Sequence, residues 1–213
     1  MLLEQERILV AEYGRRLIES GLTVGTGGNL SVYDRASGRV AISPSGLEYE
    51  RTQPEDVVVV DTDGAIVEGV RRPSSELAMH LAVYAQRPDV GAVVHTHSVF
   101  ATTLACLECS LPAVHYLIGF AGREVKCAPY ATFGTRELAE SASRTIGDAQ
   151  AVLLAHHGLL ACGADLPAAF NVAEQVEYCA EIYWRARAIG TPAVIPEGEM
   201  DRVIEKFADY GRC

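Results

Sequence analysis

Apolar residues recur at helical spacing from Leu3 to Ser20 (Leu3, Ile8, Leu9, Ala11, Leu17, Ile18), and Gly21 follows, so the chain opens with a helix stopped by glycine. The period then changes to two. Asn29–Asp34 and Arg39–Ser43 read as a hairpin around Ser37-Gly38, and VVVVDTDGAIV, from Val57 to Val67, reads as a second pair around Asp63-Gly64. After Pro73 a helix is predicted from about Ser75 to Gln86, with Leu77, Leu81 and Tyr84 on one face. Next come a strand at Gly91–Thr96, a helix to about Cys106, a strand near Glu124–Ala128, a helix at Thr135–Ile146 and a strand at Ala151–Ala155. Helices at about Pro167–Ile189 and Glu197–Tyr210 close the chain. Helices interrupting a mixture of hairpins and crossovers predict one three-layer α/β domain over residues 1–213, with a mixed sheet.

Composition narrows the class. With 49% hydrophobic and only 22% charged residues, the chain can bury a substantial core, which excludes disorder. A net charge of -10, with no basic cluster beyond Arg15-Arg16 and Arg71-Arg72, argues against nucleic acid or an anionic membrane as partner. A small molecule or another copy of the chain is expected instead. Glu4, Glu6 and Arg7 interrupt the segment where an export signal needs an apolar core, so a cytoplasmic location is expected. Val90–Leu107 carries no formal charge, but His95, His97, three threonines and a serine suit a core strand and helix better than a lipid span. Six cysteines, at 106, 109, 127, 162, 179 and 213, are not needed as staples in a chain this long and fit a reducing compartment. Cys106 and Cys109 form a lone CxxC, read as ordinary buried thiols on a helix.

Candidate chemistry starts at VVHTHSVFA, Val93–Ala101. In a strand, residues i and i+2 project from one face, so His95 and His97 present two imidazoles side by side. Each alone reads as a hydrogen-bonded core histidine; as a pair, they suit one cation that satisfies both. LLAHHGLL offers a third imidazole from His156 or His157, neighbours that point opposite ways. Three histidines and an open fourth position describe a catalytic zinc site rather than a closed structural one.

Three loops could seat an anion. RPSSELAMH places Pro73 and two serines at a helix start, where unpaired N–H groups and the helix dipole favour phosphate, with Glu76 in the first turn. Glu76 reads equally as a solvated carboxylate, and His80 as a packed, hydrogen-bonded histidine facing the sheet. VGTGGNLS follows a helix and opens a strand, the reverse of a dinucleotide fingerprint, and no Lys-Ser/Thr pair makes it a P-loop. Its glycines with Thr26 and Asn29 can cradle an anion or simply make a tight connection. ISPSGL, from Ile42 to Leu47, adds a hydroxyl and a glycine.

GTGGNLS, SPSG, PSSE, HTH, PAVHY, CAPYATFGTREL and HHGLLA stand in the order they occupy in the class II aldolase/adducin family, which this chain resembles from Met1 to EKFADYG. Within that family it is most similar to the fuculose-phosphate aldolase branch. The resemblance implies a three-layer α/β/α sandwich with a mostly antiparallel sheet, in a homotetramer with active sites between subunits. It implies zinc, or Co2+ or Mn2+, held by His95, His97 and His157, with Glu76 both approaching the metal and acting as base. Gly28, Asn29, Ser45, Gly46, Ser74 and Ser75 match a phosphate pocket. Tyr116 would be the proton donor from a neighbouring subunit, and Phe133, Phe207 and Tyr210, also from the neighbour, would wall the aldehyde end. The implied reaction is reversible cleavage of a ketose 1-phosphate, L-fuculose 1-phosphate or a close analogue, to dihydroxyacetone phosphate and a small aldehyde such as lactaldehyde.

Within the family, 5-deoxyribulose or methylthioribulose 1-phosphate aldolases differ only in the aldehyde half. A methylthioribulose-phosphate dehydratase shares the triad, whereas a pentulose-phosphate 4-epimerase is expected to carry aspartate where this chain has Glu76. Adducin-like binding modules lack the metal histidines. A lysine Schiff base, the opposing route to aldol cleavage, finds only Lys126 and Lys206, both away from the glycine loops.

Overall fold

The computed structural model describes residues 1–209. The chain runs α1 (Glu4–Glu19), β1 (Asn29–Asp34), β2 (Arg39–Ile42), β3 (Val58–Asp61), β4 (Ile66–Glu68), α2 (Leu77–Gln86), β5 (Ala92–Thr96) and α3 (Val99–Cys106). After a 3₁₀ turn at Tyr116–Phe120 follow β6 (Cys127–Ala128), α4 (Arg136–Ile146), β7 (Ala151–Leu154), β8 (Gly158–Gly163), α5 (Leu166–Ile189) and α6 (Glu197–Asp209). The eight strands form one sheet in the order β4-β3-β2-β1-β5-β8-β7-β6. Every pairing is antiparallel except β6 with β7, so the expected three-layer α/β/α sandwich with a mixed, mostly antiparallel sheet is what forms.

Alternation along the strands builds two cores. Leu30, Ala92, Val94, Leu159 and Ala161 turn to the face covered by α1, α3 and α5, where they meet Leu17, Leu104 and Phe170. Val40, Ile42, Val93, Leu160 and Cys162 turn to the other face, against Met79 and Val83 of α2 and Leu138 and Ile146 of α4. Strands β5 and β8 are therefore apolar on both sides, which is why they read as continuous hydrophobic runs.

The structure adjusts several expected boundaries. The second helix begins at Leu77 rather than Ser75: Ser74 N–H donates to Ser43 O, and Glu76 holds the N-cap position without a side-chain cap, its carboxylate turned to Asn29 and His95 instead. The last long helix begins before Pro167, since Asp165 Oδ1 accepts from Ala168 N at 2.8 Å and proline is tolerated in the first turn. The strand expected from Glu124 contracts to Cys127–Ala128; Val125 pairs instead with Leu111 in an isolated bridge. Strand β8 was not expected at all: its pairing with β5 and β7 turns Leu159–Cys162 into the sheet. Cys106 and Cys109 are exposed rather than buried, because α3 ends at Cys106 and the chain turns outward. Among the described residues, no helix is long and apolar enough to cross a membrane. Tyr210, expected at the aldehyde end, lies outside the described residues.

Candidate active site and metal centre

Antiparallel register brings the glycine loop to the histidines: Asn29, the first residue of β1, pairs with His95 on β5. Gly28 just before it has φ +70°, and a Cβ there would stand 2.6 Å from His95 O. The loop after β7 makes an equally close approach, since a Cβ on Gly158 would lie 2.2 Å from Thr96 O and 3.1 Å from His97 Cδ2. His156 occupies a left-handed conformation with φ 55°, which sends its ring outward to Glu108 Oε1 at 3.1 Å and turns His157 inward. The turn, rather than strand alternation, chooses between these two neighbours.

His95, His97, His157 and Glu76 each direct one ligand atom to a common point, all within 4.8 Å of one another. The donor chemistry fits a divalent cation. His95 Nδ1 lies 2.9 Å from Leu159 O and donates to it, so Nε2 brings a lone pair toward His97 Nε2 at 2.9 Å and Glu76 Oε2 at 3.1 Å. Glu76 Oε1 is buried, accepts no hydrogen bond and stands 3.3 Å from His157 Nε2. Facing lone pairs and an orphaned carboxylate oxygen are what a shared cation satisfies. Burial foremost pushes His97 and His157 down to about 4, which leaves both imidazoles neutral and able to ligate at neutral pH. Burial works against an ionised Glu76, but its neighbours His95 and His157 and the hydrogen bond from the Asn29 amide outweigh it and hold the carboxyl well below the usual range.

Above this cluster opens a cleft of about 330 Å³. It is lined by all six residues of the expected phosphate pocket, Gly28, Asn29, Ser45, Gly46, Ser74 and Ser75, together with Glu76, His97 and His157. None of its lining residues is Lys or Arg, so an anion there would be met by backbone N–H groups, hydroxyls and the charge of a cation. Ser45, Gly46 and Ser75 are solvent-accessible; Ser74 Oγ is already engaged by Glu76 N at 3.2 Å. Asn29 is also committed, with Nδ2 donating to Glu76 Oε2 at 2.9 Å and Oδ1 meeting His80 Nε2 at 2.5 Å, which leaves one Nδ2 hydrogen for a ligand. His80 is the packed, hydrogen-bonded histidine expected, with no exposed surface.

Phe133 lines the cleft of its own chain, together with Tyr130 and Ala131 of the loop after β6. Tyr116 and Phe207 do not reach that cleft. They meet each other at 6.0 Å between ring centroids beside Phe120, with Tyr116 half exposed. Sequence reasoning missed Tyr130 at the cleft wall and Tyr49, whose hydroxyl donates to Gly28 O at 2.7 Å, while His156, the imidazole left out of the implied metal set, also lines the cleft. The aromatic-rich CAPYATF stretch was the available signal for Tyr130; nothing local marked Tyr49.

A three-layer fold with a His₃–Glu cluster on the floor of an anion-suited cleft defines an α/β enzyme with a candidate metal centre. The chain belongs to the Class II Aldolase and Adducin N-terminal domain family, whose model matches residues 8–184, and it is a class II aldolase, a carbon–carbon lyase. It is 54% identical over 212 residues, 100% of both chains, to the 5-deoxy-D-ribulose 1-phosphate aldolase of Bacillus thuringiensis serovar kurstaki. It is 48% identical over 198 residues to the 5-methylthioribulose-1-phosphate/5-deoxyribulose-1-phosphate aldolase of Rhodospirillum rubrum, covering 92% of this chain and 88% of that one. Among solved structures it matches an L-fuculose 1-phosphate aldolase with a TM-score of 0.94 and 48% identity, over 96% of each chain.

Proposed function

We propose that this chain reversibly cleaves a short ketose 1-phosphate between C3 and C4, giving dihydroxyacetone phosphate and a small aldehyde, with Zn2+ held by His95, His97, His157 and Glu76. The observation that carries this reading is the buried Glu76 carboxylate, set among three imidazoles directly below the neutral, donor-rich cleft. The phosphate seats on Ser45, Gly46, Ser75, the Gly28 loop and the remaining Asn29 hydrogen, and this remote anchoring holds the reacting carbons over Glu76. Glu76 takes the C3 proton in the condensation direction and returns it after cleavage, a role worth roughly 10²–10⁴-fold. The bound cation supplies Lewis-acid stabilisation of the negative charge that develops next to the carbonyl. Imidazole accepts Co2+ and Mn2+ as well, so these are expected to substitute.

Tyr116 acts on the aldehyde oxygen as proton donor, supplied by a neighbouring subunit of a homotetramer, together with Phe207. Its half-exposed position away from its own cleft supports this arrangement, whereas Phe133 serves the cleft of its own chain. Cys106, Cys109, Cys127, Cys162 and Cys179 are all free, which supports a cytoplasmic setting.

The sequence reading placed L-fuculose 1-phosphate first and 5-deoxyribulose 1-phosphate as the alternative. The full-length identity to a 5-deoxy-D-ribulose 1-phosphate aldolase favours the second, with acetaldehyde rather than lactaldehyde as product.

The test is NMR of dihydroxyacetone phosphate in D2O with zinc-loaded enzyme, followed by a panel of aldehydes compared by kcat/KM. Stereospecific exchange of one C3 proton that a chelator abolishes is the expected result. Absence of exchange in zinc-loaded protein would overturn the proposal and point to an epimerase, a dehydratase or an adducin-like binding role.

A further inference from the structure

Between α2 and β1 runs a line of buried polar side chains that ends at the cleft. Glu76, His80 and Tyr84 are spaced i, i+4, i+8 along one face of α2 and its cap, and Asn29 and Ser31 are spaced i, i+2 on the facing strand. They interleave in the order Glu76, Asn29, His80, Ser31, Tyr84. Asn29 Nδ2 lies 2.9 Å from Glu76 Oε2, His80 Nε2 is 2.5 Å from Asn29 Oδ1, Ser31 Oγ is 2.7 Å from His80 Nδ1, and Tyr84 Oη is 2.7 Å from Ser31 Oγ. His80 and Ser31 have no exposed surface, and Asn29, Tyr84 and Glu76 are all buried. The neighbouring helix α4 meets the same core with Leu138, Ala142 and Ile146, so five buried polar groups are not what packing here demands.

We propose that His80 is a positioning residue for the candidate base: its Nε2–H selects the orientation of the Asn29 amide, which in turn holds the Glu76 carboxylate over the reacting carbon. This rests on the reading of Glu76 as base.

The direction of the bonds follows from counting protons. An ionised carboxylate only accepts, so Asn29 must face it with Nδ2, which turns Oδ1 to His80. Nε2 of His80 must then carry the ring proton, and Nδ1 accepts from Ser31 Oγ, while the Tyr84 hydroxyl lies against Ser31 Oγ at 2.7 Å and also donates to Ser31 O at 3.0 Å. From Ser31 onward, each donor points toward Glu76. Burial foremost pushes His80 down to about 3, so the ring is neutral and has only one proton to place. Without that N–H, nothing at this position opposes a flip of the Asn29 amide that would set Oδ1 against the carboxylate.

Two experiments test this. In zinc-loaded, 15N-histidine-labelled protein, long-range proton–nitrogen correlation should show His80 as the neutral Nε2–H tautomer; an Nδ1–H tautomer or an imidazolium would overturn the proposal. In the second, the amide of H80N reaches only the Nδ1 position, whereas that of H80Q reaches the Nε2 position and can still donate to Asn29. H80N is expected to lower kcat for dihydroxyacetone phosphate exchange about 30-fold with KM within about twofold and zinc content unchanged, and H80Q to recover most of the loss. Equal behaviour of the two variants, or a loss confined to KM, would refute the positioning role. An E76Q control separates the layers: exchange surviving in E76Q removes the base reading itself, while a dead E76Q beside a fully active H80N removes only the role of His80.

Discussion

His95 Nδ1 donates to Leu159 O, 2.9 Å away on the adjacent strand β8, and this single bond fixes which nitrogen of His95 faces the cluster. The lone pair that remains on Nε2 is thereby aimed at His97, His157 and Glu76 before any ligand arrives.

Removing that nitrogen is expected to remove the metal. His95→Ala should lose zinc and activity together, whereas Glu76→Gln should retain zinc on three imidazoles and lose exchange by 10²-fold or more, to about the scale of a missing general base. Metal analysis alongside turnover checks both; near-full activity in Glu76→Gln would exclude it as the base.

The close approach of the loop after β7 predicts a packing defect far larger than the substitution suggests. Gly158→Ala places a methyl 2.2 Å from Thr96 O, between the two metal-bearing segments, and backbone cannot yield as a flexible side chain does. A loss of about 1–3 kcal/mol in unfolding free energy, with reduced zinc occupancy, is expected by denaturant titration and metal analysis. Unchanged stability and zinc content would show that the loop can shift.

Acid should destabilise the metal-free protein over a defined window. His80 is held neutral in the folded state, pushed down to about 3 by burial foremost, while in the unfolded chain it protonates near 6.5. The unfolded state therefore binds more protons below that point, so stability is complete above pH 6.5 and falls progressively as pH drops toward 3. The slope from this one group reaches about 1.4 kcal/mol per pH unit, and urea titrations at a series of pH values should show it diminished in His80→Gln.

The proposed sharing of sites between subunits predicts complementation. Glu76→Gln and Tyr116→Phe should each be nearly inactive alone, but when the two chains are co-assembled some clefts unite an intact Glu76 with a neighbour's intact Tyr116. Random mixing in a cyclic tetramer restores roughly a quarter of the sites. Activity no greater than the sum of the separate variants would place Tyr116 outside the neighbour's site.

Much of this protein is written in local pattern. Apolar periodicity determines α1, the two hairpins, α2 and the closing helices, because each buries a face whose spacing is visible within a dozen residues. The pairing of His95 with His97 is equally local, since alternation in a strand puts i and i+2 together. What the tertiary structure decided are the relationships between distant segments. Antiparallel register set Asn29 beside His95, and the two-sided pairing of Leu159–Cys162 made a strand of a run that reads as ordinary core. A left-handed turn at His156 sent one imidazole out and its neighbour in. The line from Tyr84 to Glu76 exists only where α2 crosses β1, and its members look like unrelated polar residues until helical and strand periods are laid against each other. Local periodicity assigns each residue a face; only the packed sheet, through hydrogen bonds that close long loops, decides which faces meet.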